Sequence, residues 1–427
     1  MDIHVVKAGE SLYSIAQDYG VSLARLMADN QLPDPSRLAV GQTIVVRYPE
    51  AVYTVQPGDT LSSVSQETGI PTRILLQNNP NLRGESTIYP GQTLVLSYKG
   101  QKRGTLSVNG YAYPFIDKGL LQRTLPYLTN ITPFTYGITP SGGLVDLDDQ
   151  AIIAAAKSMG VAPLMHLSTL TEEGGFSNEL ASLVLNDMTV QDRLVTAIVA
   201  KLRQRGYTGL DVDFEFVFPQ DARAYAAFIR RLRQTLSPLG YPVIVALAPK
   251  TSAEQKGLLY EGHDYAALGQ AADQLLLMTY EWGYTYGPPM AVAPLPNVRR
   301  VVEYALTEIP ANKLWLGVPN YGYDWPLPFV QGETKATSIS NQYAVELALR
   351  YGAAIQYDQT AQSPWFRYTD RQGREHEVWF EDARSIQAKL ALIPEYGLYG
   401  AGYWNLMRPF PQNWLVLASE YSIRTGA

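Results

Sequence analysis

The chain has 427 residues, enough for one large domain with smaller ones beside it, and its 46% apolar share is ordinary for a globular protein. A net charge of −6 argues against a nucleic-acid partner, and the absence of cysteine excludes disulfides, thiolate metal sites and a cysteine nucleophile. The four histidines (His4, His166, His263 and His376) are scattered, no apolar run approaches the ~18 residues of a membrane span, and Met1–Lys7 lacks the apolar stretch of a secretory signal. No metal, no cofactor and no membrane association are expected.

The first hundred residues are a tandem repeat. His4 to Leu12 matches Tyr53 to Leu61 at an offset of 49, and Gly41-Gln42-Thr43-Ile44 matches Gly91-Gln92-Thr93-Leu94 at an offset of 50. Each copy reads strand, helix, helix, strand, over 1–48 and 52–98. Leu12, Ile15, Ala16 and Tyr19 recur at helical spacing before Gly20, and Ser22 opens a second helix with Leu23, Leu26 and Met27. The second copy repeats the plan with Leu61, Val64, Ser65 and Thr68 before Gly69. The Gly-[Asp/Glu]-[Ser/Thr]-Leu turn, the central Asn and the late Gly-Gln-Thr-[Ile/Leu] resemble LysM modules, which bind N-acetylglucosamine-containing glycans. The resemblance implies glycan contacts at Gly9, Glu10, Ser11, Asn30 and Gln31, and at Gly58, Asp59, Thr60, Asn79 and Pro80. Each also has a purely local role open to it: the glycines in turns, and Ser11, Asp59 or Thr60 as helix caps. Modules this small have little core, so a pair gains grip by avidity.

Residues 99–104 read as a polar linker, and 105–427 as a β/α alternation. Strands are expected near Leu106–Tyr113, Ile131–Ile138, Ala162–Leu167, Gly209–Phe216, Val243–Leu247, Gln274–Tyr280, Leu314–Pro319 and Leu398–Trp404. Amphipathic helices such as Val190–Arg205 and Asp221–Leu236 fall between them. Eight strands alternating with helices predict an α/β fold, a (β/α)8 TIM barrel with its active site at the strand C-terminal ends. The seventh connection is too long, and residues 321–380 read as a small α+β insertion. It has a helix at Asn341–Tyr351 and strands at Ala354–Tyr357, Trp365–Tyr368 and Glu375–Phe380.

Gly209-Leu-Asp-Val-Asp-Phe-Glu-Phe216 is the stretch that carries chemistry. Alternation puts Asp211, Asp213 and Glu215 on one face, at steps of ~7 Å, and Leu210, Val212, Phe214 and Phe216 on the other. Three carboxylates that close, partly desolvated, force at least one pKa upward, which keeps an acid protonated for general acid catalysis. A solvated acidic edge strand and a divalent-metal site are the alternatives. Asp-x-Asp-x-Glu at a strand end resembles the active-site strand of glycoside hydrolase family 18, although Thr208 stands where the family has a further Asp. The resemblance implies retaining, substrate-assisted hydrolysis in which the 2-acetamido oxygen attacks its own anomeric carbon. Glu215 is then the acid and later the base, Asp213 orients the acetamide, and Asp211 tunes Asp213. Met278-Thr-Tyr280-Glu281 resembles the family's sixth strand end: Tyr280 would bond the acetamide oxygen and Glu281 the sugar hydroxyls. Trp404 would floor the subsite, with Asn320, Tyr321 and Tyr111 as further substrate contacts; packing is the alternative for Tyr280 and Trp404, and a structural role for His166.

Met278–Tyr284, Gly287-Pro288-Pro289 and Glu377–Ser385, behind a LysM pair, resemble the cortical fragment-lytic N-acetylglucosaminidases of spore-forming bacteria over the whole length. That implies a peptidoglycan partner in the spore cortex or coat and synthesis in the mother cell without a signal peptide. A chitooligosaccharide hydrolase, an inactive lectin and a structural coat protein are the competing functions. Oligomeric state and exo or endo action stay open.

Overall fold

The computed structural model describes residues 1–32, 36–171 and 173–426. Each repeat packs two helices on a two-stranded antiparallel ribbon. In the first, Asp2–Val5 pairs with Thr43–Val46 around helices Leu12–Asp18 and Leu23–Asn30. In the second, Pro49–Thr54 pairs with Thr93–Tyr98 around helices Leu61–Thr68 and Thr72–Asn78. The first helix of each copy starts identically. The hydroxyl of Ser11 or Thr60 accepts the N–H of Ser14 or Ser63, whose own hydroxyl accepts the cap residue's N–H. Such reciprocal caps satisfy two otherwise orphaned donors and contribute about 1 kcal/mol. The cores are small: Val6, Leu12, Ile15, Leu26, Ile44 and Val46 in one, Val55, Leu61, Val64, Leu75 and Leu94 in the other.

Neither repeat stands alone. Gln77 Nε2 and Arg73 Nε of the second both donate to the Pro126 carbonyl, each at 2.7 Å. In the first, Thr43 Oγ1 meets Gln412 Oε1 at 2.7 Å, and the Ile355 N–H donates to the Val40 carbonyl at 2.8 Å. Gly41, at φ +83°, approaches so closely that a Cβ would lie 1.9 Å from the Ile355 carbonyl oxygen. The expected linker is tied down as well, since the Arg103 N–H donates to the Glu420 carbonyl at 2.6 Å and the Lys102 ammonium to the Ala418 carbonyl.

The remainder is a closed parallel barrel. Its strands are β1 (Gly104–Ala112), β2 (Asn130–Pro133), β3 (Ala162–Ser168), β4 (Gly209–Asp213), β5 (Val243–Leu247), β6 (Gln274–Leu277), β7 (Leu314–Pro319) and β8 (Gly400–Trp404). Each pairs with the next, and β8 pairs with β1 to close the ring. A short strand not expected from the sequence, Tyr421–Ile423, runs parallel to the start of β1.

Three strands end earlier than expected. Beyond Pro133 the chain leaves β2 and rejoins β3 only at the Tyr136–Leu167 bridge. β6 stops at Leu277 because Thr279 turns its hydroxyl onto the Gly317 carbonyl at 2.7 Å. β4 stops at Asp213 because the Phe214 carbonyl takes its hydrogen bond from His263 Nε2, at 3.0 Å, rather than from a neighbouring strand. Leu210, Val212 and Phe214 are fully buried as the alternation predicts, but Val217 rather than Phe216 completes the apolar row.

The insertion between β7 and β8 is a five-stranded antiparallel sheet, in the order 337–339, 322–326, 375–379, 363–369, 356–358, under helix Asn341–Tyr351. Strands Gly322–Pro326 and Thr337–Ile339 add to the three expected. They pair with each other across a loop rather than a tight turn (Asp324 opposite Thr337), and Gly322–Pro326 pairs on its other side with a strand far along the chain (Tyr323 opposite Trp379), so no local pattern announces them.

Candidate active site

β4 delivers the three carboxylates to the C-terminal mouth of the barrel. Asp211 is deepest, fully buried, and accepts the Tyr111 hydroxyl on Oδ2 at 2.6 Å, while its Oδ1 has no partner. Burial pushes Asp211 up to about 6, against the Tyr111 hydrogen bond, which pulls it down. Asp213 comes next. Its Oδ1 is buried and unpartnered, and its Oδ2 lies 3.8 Å from His166 Nε2, beyond hydrogen-bond reach. Burial drives Asp213 well above the usual carboxylate range, and the charges of Glu215 and Asp211 add to that. Glu215 is raised by burial and then by Glu281. Among the described residues, no donor or acceptor pairs with the Glu215 carboxyl. The cluster is therefore a proton-holding array with its outermost acid unencumbered.

The histidines hold the array rather than join it. His166 is buried and pushed down to about 3, so it is neutral; its Nδ1 is 2.6 Å from Thr135 Oγ1. His263 accepts the Ala248 N–H on Nδ1 at 2.9 Å, which places its proton on Nε2, facing the Phe214 carbonyl. It thus ties the end of β4 to the end of β5 and sets where Glu215 leaves the strand.

Other strand ends complete the mouth, which encloses about 410 Å³ between Tyr113, Phe115, Glu281, Tyr321, Trp404 and Arg408. Tyr280 is partly buried among the carboxylates, its phenol raised by burial and then by the charges of Asp213 and Glu215. Gly317 makes room for it, since a Cβ there would come 2.9 Å from the Tyr280 ring. Glu281 adopts a left-handed backbone, φ +67°, which is costly for a residue with a Cβ. It is held there by the Tyr321 hydroxyl and by Tyr323, whose hydroxyl lies 3.1 and 3.2 Å from its two oxygens. Trp404 packs against Phe134, Tyr111 and Tyr113 at ring distances of 5.0, 5.8 and 6.1 Å and lines the mouth cavity.

Asn320 departs from expectation. Its amide donates to the Asn405 and Arg408 carbonyls at 2.8 and 2.9 Å, so it braces the loop after β8 from behind. Tyr323 and His263 were not expected at the site. Alternation along 321–323 puts both tyrosines on one face, a signal for Tyr323; nothing local marks His263.

In the repeats, the expected glycan contacts divide. Gly9, Ser11 and Gly58 are exposed, and Ser11 and Thr60 are caps. Glu10 accepts the Lys7 N–H and lies 2.8 Å from His4 Nε2; Asp59 likewise accepts the Gln56 N–H. Asn30 and Asn79 turn inward. Each amide bridges its helix to the last strand, Asn79 donating to Leu75 and Val95 carbonyls and accepting the Val95 N–H, all within 2.9 Å. The Asn79 side chain is consumed by the module core, the Asn30 Oδ1 also accepts Gln412 Nε2 of the barrel domain at 3.2 Å, and Pro80 is buried beside Asn79. Gln31, in the left-handed conformation at φ 50°, ends its helix and faces the barrel.

Residues 159–408 match the family Glycosyl hydrolases family 18, and residues 4–47 and 53–97 each match the LysM domain. The chain is 43% identical to the cortical fragment-lytic enzyme of Bacillus subtilis (strain 168), across 99% of both. The crystal structure of the Bacillus megaterium QM B1551 spore cortex-lytic enzyme SleL is similar with a TM-score of 0.84 at 40% identity, over 100% of this chain and 99% of that one. A chitinase from Chromobacterium violaceum ATCC 12472 is similar with a TM-score of 0.69 at 27% identity, over 74% and 98%.

Proposed function

The chain belongs to glycosyl hydrolases family 18, and from that premise we propose that it is a retaining, substrate-assisted β-N-acetylglucosaminidase of spore-cortex peptidoglycan or its fragments. The observation that carries the reading is the Asp211–Asp213–Glu215 array, with its pKa values pushed upward and Glu215 free at the mouth. Glu215 gives its proton to the glycosidic oxygen as that bond to the anomeric carbon breaks. The acetamide carbonyl oxygen of the same sugar forms a bond to the anomeric carbon, giving an oxazolinium ion. Asp213 accepts the acetamide N–H and offsets the developing positive charge, and Tyr280 donates to the acetamide oxygen. Asp211, fixed by Tyr111, sets the proton balance of Asp213. Glu215, now a carboxylate, takes a proton from the water that attacks the anomeric carbon and opens the ring with net retention. Trp404 floors the subsite, and Glu281, held by Tyr321 and Tyr323, binds hydroxyls.

The division into modules at 1–48 and 52–98, a connector at 99–104 and a catalytic domain at 105–427 belongs to this reading, with both LysM modules gripping the glycan. So does a place on the spore, in coat or cortex. The names and full-length likeness of the Bacillus relatives support it. A second reading, hydrolysis of chitooligosaccharides, draws on the chitinase likeness. Product analysis by mass spectrometry separates them. Cleavage of cortex fragments with N-acetylglucosamine at the new reducing end, abolished by Glu215→Gln, is expected. Products from chitooligosaccharides alone would favour the second reading, and binding without any product would refute catalysis.

A further inference from the structure

A cleft of about 690 Å³, larger than the catalytic mouth, opens where the first repeat meets the insertion and the helix Pro411–Glu420. Apolar side chains line much of it, among them Leu32, Val345, Leu349 and Phe410, but its charge is distinctive. Arg37, Arg123 and Arg350 face it, and among the described residues none of the three is paired with a carboxylate; Arg350 only lies over the Tyr343 ring at 5.7 Å. Two of the cleft's acids are already neutralised, Asp382 by Arg384 at 2.7 Å and Glu381 by Lys389 at 2.8 Å. Glu346 is the remaining acid, so cations are in excess there although the chain carries a net charge of −6. A local surplus against the net charge marks a surface for an anion.

The cleft wall also holds buried polar atoms without partners. Asn341 is 3% exposed, and its Oδ1 accepts the Glu381 N–H at 2.9 Å, which fixes the amide and leaves Nδ2 as an unmatched donor. Glu381 Oε1 is an unmatched acceptor beside it. Buried groups of this kind are met by water or ligand. The cleft borders the catalytic mouth. Arg408 and Ser338 line the mouth and are joined by hydrogen bonds of 2.9 and 3.1 Å, while Pro409 and Asn341, just beyond them in the chain, line the cleft.

We propose that this cleft binds a carboxylate borne by the peptidoglycan strand whose glycan occupies the mouth, an inference that rests on the peptidoglycan reading above. A neutral N-acetylhexosamine offers the arginines no counter-charge. Two parts of peptidoglycan do: the carboxylates of a peptide stem and the free lactyl carboxylate of muramic acid. The first repeat is thereby one wall of a substrate site rather than a separate anchor.

The test uses the full chain carrying Glu215→Gln, so that ligands stay intact. Fluorescence anisotropy is read with three labelled probes: a disaccharide bearing a tetrapeptide, the same disaccharide with a free lactyl carboxylate, and neutral chitotetraose. At low salt a charged probe binds about tenfold tighter than chitotetraose, the scale of a few partly exposed ion pairs, and high salt erases the difference. Adding Arg37→Gln, Arg123→Gln and Arg350→Gln together also erases it. Preference for the tetrapeptide probe alone assigns the stem, preference for the free-lactyl probe alone assigns the lactyl group, and equal preference for both means that the cleft takes either carboxylate. The proposal is overturned if no charged probe is preferred, or if the preference survives the triple substitution. Salt dependence in the parent chain keeps the test decisive even if the triple variant misfolds. Failure of the peptidoglycan reading shows separately, as absence of cortex products from the active chain.

Discussion

Tyr111→Phe removes one oxygen and leaves the ring, yet its effect on stability should depend on pH. The lost hydroxyl is the hydrogen-bond donor to Asp211, whose other oxygen already has no partner. Asp211 sits at about 6 when folded and ~3.9 when unfolded. A folded pKa above the unfolded one means that the stability from this group is fully present below ~3.9 and is lost as pH rises through about 6, a span worth about 3 kcal/mol. At pH 8 Asp211 is ionised, and the Tyr111 bond is charge-assisted, worth about 1.5–3 kcal/mol; at pH 5 it is protonated, and the bond falls to about 0.5–1.5 kcal/mol. The substitution should therefore cost about 1 kcal/mol more at pH 8 than at pH 5. Urea unfolding followed by tryptophan fluorescence at the two pH values measures it. An equal cost at both, or a larger one at pH 5, would refute the assignment of a pH-sensitive Tyr111–Asp211 bond.

Tyr323→Phe strips Glu281 of one of its two phenol partners and raises its pKa further. About a tenfold loss in kcat/KM, carried mainly by KM, is expected from steady-state kinetics on cortex fragments; a fall in kcat alone would count against a binding role. Asn79→Ala leaves the Leu75 and Val95 carbonyls and the Val95 N–H unpaired inside the second repeat. It should destabilise that repeat by about 3 kcal/mol or more, seen as faster hydrogen exchange at Thr93–Tyr98. Gly41→Ala drives a methyl into the Ile355 carbonyl and demands φ +83° of a residue with a Cβ. The first repeat should lift from the insertion, which small-angle scattering reads as an enlarged radius of gyration.

How far the sequence could be read depended on whether a partner was local. Asp211, Asp213 and Glu215 declare themselves through alternation, because a strand's period is two whatever surrounds it. The caps Ser11 and Thr60 are equally legible, since their partners lie three residues on. Asn30, Asn79 and Asn320 look like ligand contacts because a polar side chain near a loop is ambiguous until the carbonyls it meets, 4 to 88 residues away, are known. His263 lies 49 residues from the carbonyl it holds. The insertion hid two strands for the same reason. Its helix at Asn341–Tyr351 was visible because helical periodicity needs no partner.

The bonds from the two repeats to the barrel domain change what a truncation would mean. Removing the first hundred residues would do more than subtract two glycan contacts. It would strip the Pro126 carbonyl of Arg73 and Gln77, free Gln412 from Thr43, and take away one wall of the cleft beneath Arg350. Lost activity in such a fragment would mix lost grip with a loosened scaffold. Point substitutions that leave the Arg73, Gln77 and Thr43 bonds in place separate the two contributions.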